Sequence, residues 1–198
     1  GDNLNIDFEG TAKQVKSNMN SPFASSVSSA IACVKSVLTD PDIPFNEGAE
    51  RAINVKIPYG SILNPRPRAP VRARLLPSYR VVNAVMKALG EAVPERVIAP
   101  GFDTTSVCCL SHKLADGYNI YLEIFGGGFG AGPNYDGCDA VDSMLSNCSN
   151  IPIESMESDY PFFRVEDYSL RSSSGGNGKF RGGMGFQKTY KILSDNVI

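Results

Sequence analysis

The residues able to do chemistry are few and scattered. His112 is the only histidine, and Ser111-His112-Lys113 shortly before Asp116-Gly117 reads as a solvated hairpin end rather than a general acid or base. A metal centre there would need Asp, Glu or Cys ligands, and no spacing supplies them, so no metal ligands are assigned. No G-x-S-x-G elbow anchors a serine nucleophile. The five cysteines, Cys33, Cys108, Cys109, Cys138 and Cys148, are odd in number and contain no Cys-x-x-Cys pair. Adjacent Cys108 and Cys109 must point to opposite faces of a strand, and Cys33 borders an apolar stripe as a core residue does. That usage fits a reduced, cytoplasmic protein. Asn147-Cys148-Ser149 matches a glycosylation acceptor, but Gly1 to Phe8 is too polar for an export signal.

Two further constellations involve glycine and arginine. Gly126, Gly128 and Ala131 fit a G-x-G-x-x-A frame, yet Gly132-Pro133 follows where a dinucleotide-binding helix should open. Lys179 is followed by Phe180, so no Walker-type phosphate loop exists. The run serves either as an anion nest of backbone amides or as a place of close backbone approach, and the second reading is preferred. Arg66, Arg68, Arg72, Arg74 and Arg80 stand together with no acid among them. Their guanidinium forks suit a carboxylate or phosphate, or they pair with Glu154, Glu157 and Asp159 or with a partner subunit. Aromatics are not interleaved with the arginines and the net charge is −2, which argues against nucleic acid. No apolar run is long enough to cross a membrane as a helix. These residues alone assemble no active site, and the catalytic residues stay unknown.

The elements that must position these groups are mostly short. Leu4 to Phe8 alternates as a strand and meets a turn at Glu9-Gly10. Ser21-Pro22 opens a helix, Ser as capping oxygen and Pro at the first helical position. Phe23, Val27, Ala30, Ile31, Val34, Val37 and Leu38 form its stripe, Ser25, Ser28, Ser29 and Lys35 its opposite side, and Asp40-Pro41 its stop. Arg51 to Pro58 reads as a strand. Asn64 to Pro70 carries three prolines and cannot be regular. Val81, Val82, Val85, Met86 and Leu89 predict a helix over 78–89, with Gly90 at a left-handed end. Val107 to Leu110 and Tyr118 to Phe125 predict strands. In the second, Ile120, Leu122 and Ile124 share one face and Asn119, Tyr121 and Glu123 the other, which suits a strand covered on one side. A short helix is predicted over 141–145, strands over 162–170 and 186–193, and a hairpin loop over 172–178. Few helices among many strands predict a mixed α+β fold, strand-rich with a few packed amphipathic helices.

Several segments, in order, resemble the B-type hydantoinase family that includes 5-oxoprolinases and the acetone carboxylase large subunit. They are Asp7-Phe8-Glu9-Gly10-Thr11, Asn18-Met19-Asn20-Ser21-Pro22, Asn46-Glu47-Gly48, and Pro58-x-Gly60-Ser61-x-Leu63-Asn64-Pro65. Arg80-Val81-Val82, Pro94-Glu95-Arg96-Val97, Gly126 to Ala131, Asp136-Gly137, Ser146-Asn147, Pro152-Ile153-Glu154, Tyr160-Pro161 and Arg164-Val165 continue the match. Ser174-Gly175-Gly176-x-Gly178-x-Phe180-Arg181-Gly182-Gly183-x-Gly185 closes it.

The resemblance implies part of the B-type subunit of an ATP-dependent amidohydrolase that opens hydantoin or lactam rings, or of a related ketone carboxylase. A non-catalytic scaffold or subunit-interaction module is the alternative. It implies an A-type partner that binds ATP, a hetero-oligomer, and a divalent metal held by an N-terminal portion with no counterpart here. Residues 1–198 then form a single region lacking that portion and the extreme C-terminus, inactive alone. Asp142 and Met144 stand where many relatives have histidines, and Val71 to Leu76 follows an arginine-rich variant, so the substrate stays open. Asn64, Arg66, Arg68 and Arg181 are the candidate contacts to a small-molecule substrate, because Pro- or Gly-rich loops present them.

Overall fold

The computed structural model describes residues 3–146 and 151–198; the Asn147-Cys148-Ser149 triplet lies outside them. The chain divides into two compact units, Gly1–Ile98 and Ala99–Ile198. The small sheets and four helices of the described residues form a mixed α+β arrangement.

In the first unit, β1 (Leu4–Asp7) and β2 (Ile53–Lys56) pair in parallel, Leu4 opposite Ile53 and Ile6 opposite Val55. Their inward residues are half-buried and their outward ones exposed, the period-two pattern of a ribbon covered on one face. The crossover between them carries α1 (Phe23–Leu38) and the short α2 (Glu47–Glu50). Pro22, not Ser21, takes the N-cap position of α1, without a side-chain cap. The buried Ser21 hydroxyl instead lies 3.4 Å from that of Ser78. The buried face of α1 is also more polar than its stripe predicts. Ser26 and Ser29 are buried while Phe23 is exposed, because Ser26 Oγ donates to the Leu63 carbonyl at 2.8 Å and Ser29 Oγ to that of Ser25 at 2.7 Å. Satisfied hydroxyls of this kind cost little to bury.

Against α1 packs α3 (Leu75–Leu89), burying Tyr79, Val81, Val82, Val85 and Met86. It starts three residues before the sequence pattern predicts, since Pro77 falls in the first turn, where amides have no intrahelical acceptor. Gly90 is right-handed at φ −61°, not left-handed as expected. Asn20, fully buried, ties the loop before α1 to the proline-rich loop. Its Oδ1 accepts from the Val15 amide at 2.8 Å, and its Nδ2 donates to the carbonyls of Val15, Ser17 and Pro70 at 2.9, 3.0 and 2.9 Å.

In the second unit, β3 (Ser106–Leu114) and β4 (Gly117–Phe125) form an antiparallel hairpin. The other edge of β3 takes the chain end, Ser111 N donating to Ile198 O at 2.8 Å and Ile198 N to Ser111 O at 3.0 Å. A short α4 (Ile153–Asp159) precedes a second antiparallel pair, β5 (Phe163–Leu170) and β6 (Phe186–Ile192), with a bulge between Val165 and Asp167. Tyr121, Met156, Phe162 and Phe163 form the core, with Cys108, Leu110, Tyr160 and Tyr190 packed against it.

In the second unit two sequence expectations differ from the structure. β3 runs past Leu110, so His112 is a strand residue opposite Asn119, its ring 5.1 Å from that of Phe162, and not a solvated hairpin end. Residues 141–145 are not a helix; Val141 bridges Gly127 and a turn follows. As expected, β4 is covered on one side only; the covered face is the one bearing Asn119, Tyr121 and Glu123, while Ile120, Leu122 and Ile124 are exposed.

Candidate functional site

The glycine run after β4 folds as a close backbone assembly. A Cβ on Gly128 would lie 1.8 Å from the Gly183 carbonyl oxygen, on Gly137 1.9 Å from that of Phe129, and on Gly183 1.9 Å from that of Cys138. Only glycine admits such approach. Alternate amides there pair with backbone: Gly127 N donates to Val141 O at 3.3 Å and Phe129 N to Cys138 O at 2.9 Å, while Gly183 N from the facing loop donates to Phe129 O at 2.8 Å. The preferred structural reading of the run therefore describes what it does. No helix opens at its end, so the dinucleotide-binding frame is not completed.

Beside this assembly opens a cavity of about 980 Å³, within the second unit. Five phenylalanines contribute to its walls: Phe102, Phe125, Phe129, Phe180 and Phe186. Lys188, Tyr190, Cys108 and Arg171 also line it.

Behind Lys188 sits a charged network buried against the core. Lys188 Nζ lies 2.8 and 2.9 Å from the two carboxylate oxygens of Glu123. The Tyr190 hydroxyl donates to Glu123 Oε2 at 2.6 Å, and the Tyr121 hydroxyl donates to the same oxygen. The ammonium also stands over the rings of Tyr168 and Tyr190, at 4.9 and 5.4 Å from their centroids, a favourable cation–π placement. Burial pushes the Glu123 carboxyl up, but the hydrogen bonds from Lys188, Tyr121 and Tyr190 outweigh it and hold it below the ordinary carboxylate range. Burial, reinforced by the Glu123 hydrogen bonds, pushes both phenols far up, so they remain donors. Burial beside Glu123 also raises the Cys108 thiol, which keeps it protonated and poorly nucleophilic.

The four residues singled out from the sequence fall in two places. Asn64, Arg66 and Arg68 share the proline-rich loop of the first unit. Asn64 Nδ2 donates to the Ile57 carbonyl at 3.2 Å, and Asn64 O accepts from Gly60 N at 2.8 Å. The Arg66 amide donates to Gln14 Oε1 at 2.8 Å, and its side chain lies against Gly60, whose φ is +83°. Arg68 is exposed with φ +73°. Neither arginine makes an ion pair among the described residues. Arg181 is in the second unit, where its guanidinium forks onto Asp139 at 2.7 and 3.2 Å and its amide donates to Asp136 Oδ1 at 2.8 Å. That fork, with the Met184 amide, holds the Asp139 carboxyl below its usual range. Among the acidic residues offered as arginine partners, Glu157 is taken by the Val165 amide at 2.9 Å and by Arg164 at 3.9 Å.

Sequence reasoning missed Arg171, Glu123, Lys188 and Tyr190. Glu123 and Lys188 stand 65 positions apart, and only a charged residue on the covered face of each strand hinted at them. Among the described residues, no group of three His, Cys, Asp or Glu side chains is placed to hold a metal ion.

Comparison with known proteins places this geometry. The family model described as Hydantoinase B/oxoprolinase matches residues 1–198. A Pseudomonas sp. protein named for the B-type part of a D-/L-hydantoinase is 36 % identical over 201 residues, covering 98 % of this chain and 34 % of that protein. The crystal structure of an ATP-dependent caprolactamase from Pseudomonas jessenii superposes with TM-score 0.85 at 29 % identity, over 97 % of this chain and 34 % of that one. A nucleotide-free acetone carboxylase shares the fold, with TM-score 0.77 at 20 % identity over 98 % and 27 % of the two chains. The chain thus spans about a third of the hydantoinase-like relative and of the caprolactamase. With the family pattern matched from its first residue to its last, the chain belongs to the Hydantoinase B/oxoprolinase family.

Proposed function

We propose that these residues are one region of a B-type subunit that takes part in ATP-dependent opening of a cyclic amide, a lactam or hydantoin. The observation that carries this reading is the family match over the whole chain, joined to the likeness to an ATP-dependent caprolactamase. ATP is assigned to an A-type partner, because the glycine run here opens no helix as a nucleotide-binding loop would. The divalent metal implied by family resemblance finds no fitting ligand set among the described residues, so no step is routed through it. This region supplies scaffold and small-molecule contacts, with Asn64, Arg66, Arg68 and Arg181 as the proposed polar groups. The test is ring-opened product formed by the A-type and B-type subunits with ATP, against either subunit alone. Product from the A-type subunit alone sinks the reading.

A second reading, an interaction module, is favoured by one observation. Val107, Ile120, Leu122 and Ile124 form an exposed apolar face on the β3–β4 hairpin, and such faces mark association surfaces. Leu122→Asp should then weaken capture of the A-type subunit without lowering the melting temperature. Unchanged capture would count against it. Ketone carboxylation stays the variant of the enzymatic reading, supported by shared fold alone.

A further inference from the structure

The cavity of the second unit has a charge balance that selects its ligand. Its lining includes two cations, Arg171 and Lys188, and no carboxylate. Lys188 is already neutralised, since both its short polar contacts go to Glu123. Arg171 makes no ion pair among the described residues. One positive charge is therefore left for a ligand.

Both backbone polar groups of Arg171 are held. Its amide donates to Gly185 O at 2.8 Å, and its carbonyl accepts from Ser174 Oγ at 2.7 Å. The same hydroxyl accepts from Gly185 N at 2.9 Å. A guanidinium on a fixed base, beside phenylalanine walls, presents a planar fork suited to a carboxylate. The volume is that of a small-molecule site, mostly apolar with a few convergent polar groups. A triphosphate brings several negative charges, and a single free guanidinium in a phenylalanine-lined site matches it poorly.

We propose that this cavity binds a small organic monocarboxylate with a flat apolar body, its carboxylate on Arg171 and its body among Phe125, Phe129 and Phe186. Binding here does not depend on the enzymatic reading, because the cavity and its charge lie wholly within this chain.

The test is calorimetric titration of the natural polypeptide carrying these residues with 2-naphthoate and with its uncharged counterpart 2-naphthamide. Naphthoate should bind at least ~10-fold more tightly than naphthamide, the size of one charge-assisted contact. Arg171→Gln should remove that difference by weakening naphthoate binding, and should keep the melting temperature, because the exposed side chain makes no ion pair among the described residues. Lys179→Gln, a cation on the same loop outside the lining, should leave the difference intact. Equal affinity for the two probes, an unaltered difference in Arg171→Gln, or no binding at millimolar concentration would overturn the proposal. Displacement of naphthoate by equimolar inorganic phosphate or ADP would overturn it too, in favour of a phosphate site. None of these readouts requires the A-type subunit or ATP, so failure here is distinguishable from failure of the ring-opening reading.

Discussion

Lys188 and Glu123 form a bidentate ion pair with side chains only 2 % and 10 % exposed, its carboxylate capped by two tyrosine hydroxyls. A pair this deeply placed is costly to break on one side, because the remaining charge is left buried. Glu123→Gln and Lys188→Met should each lower the stability of the second unit by about 3 kcal/mol. The double variant should lose clearly less than the sum of the two, since no charge is stranded. Urea unfolding of the four proteins checks this, and strictly additive losses would show that the pair is not coupled.

The same carboxylate gives stability a pH dependence. Its folded pKa lies below the unfolded one, which is about 4.3 for a free glutamate. A depressed carboxylate contributes fully above the unfolded value, and that contribution disappears as pH falls through the folded value. The melting temperature of the second unit should therefore fall as pH drops below about 4, with a shallower fall in Glu123→Gln. Parallel acid curves for the two proteins would contradict the assignment.

The glycine assembly predicts sharply different effects for one chemical change. Gly128→Ala places a methyl 1.8 Å from the Gly183 carbonyl oxygen, whereas a Cβ at Gly176 meets nothing within 4 Å. Backbone cannot yield as a side chain can, so Gly128→Ala should cost more than about 3 kcal/mol. Gly176→Ala should be neutral within about 0.5 kcal/mol. Thermal melts of both variants decide it.

Asn20 predicts a similar loss in the first unit. Asn20→Ala removes all four side-chain bonds and leaves the Val15 amide and neighbouring carbonyls without their partner. The expected loss is about 3 kcal/mol, with faster amide exchange at Val15. Unchanged exchange there would show that the loop is held by other contacts.

How much of the fold and site is legible in the sequence depends on how local each signal is. The stripes of α1 and α3 sit at spacings of three and four and read directly, though Pro77 hides the first turn of α3. By contrast α4 has seven residues and buries only Met156, too short and acidic for a helical period to show. The face of β4 is ambiguous because its covered side carries Asn119, Tyr121 and Glu123, and the residues that meet Glu123 and Tyr121, Lys188 and Tyr190, come from β6. Arg181 stands out in its loop, but its partner Asp139 lies 42 positions away. The glycine run reads correctly as close approach, while Gly183, the backbone it meets, cannot be named from sequence. Family membership is legible because its motifs recur in order along the chain.

Cysteine reactivity offers a direct check on burial. Cys33 is wholly buried, and burial pushes its thiol up to about 12; Cys109 is exposed on β3. Iodoacetamide on the folded protein should modify Cys109 and spare Cys33, as peptide mass spectrometry would show. Labelling of Cys33 at a comparable rate would mean that α1 and α3 separate readily.

The central proposal is that this region works within a B-type subunit whose chemistry needs an ATP-binding partner. Its most direct test is coupled ATP cleavage and lactam or hydantoin ring opening by the natural polypeptide carrying these residues, with and without its A-type subunit. The account predicts ring-opened product only when both subunits and ATP are present. Product without the B-type polypeptide, or none with both across lactams and hydantoins, would contradict it.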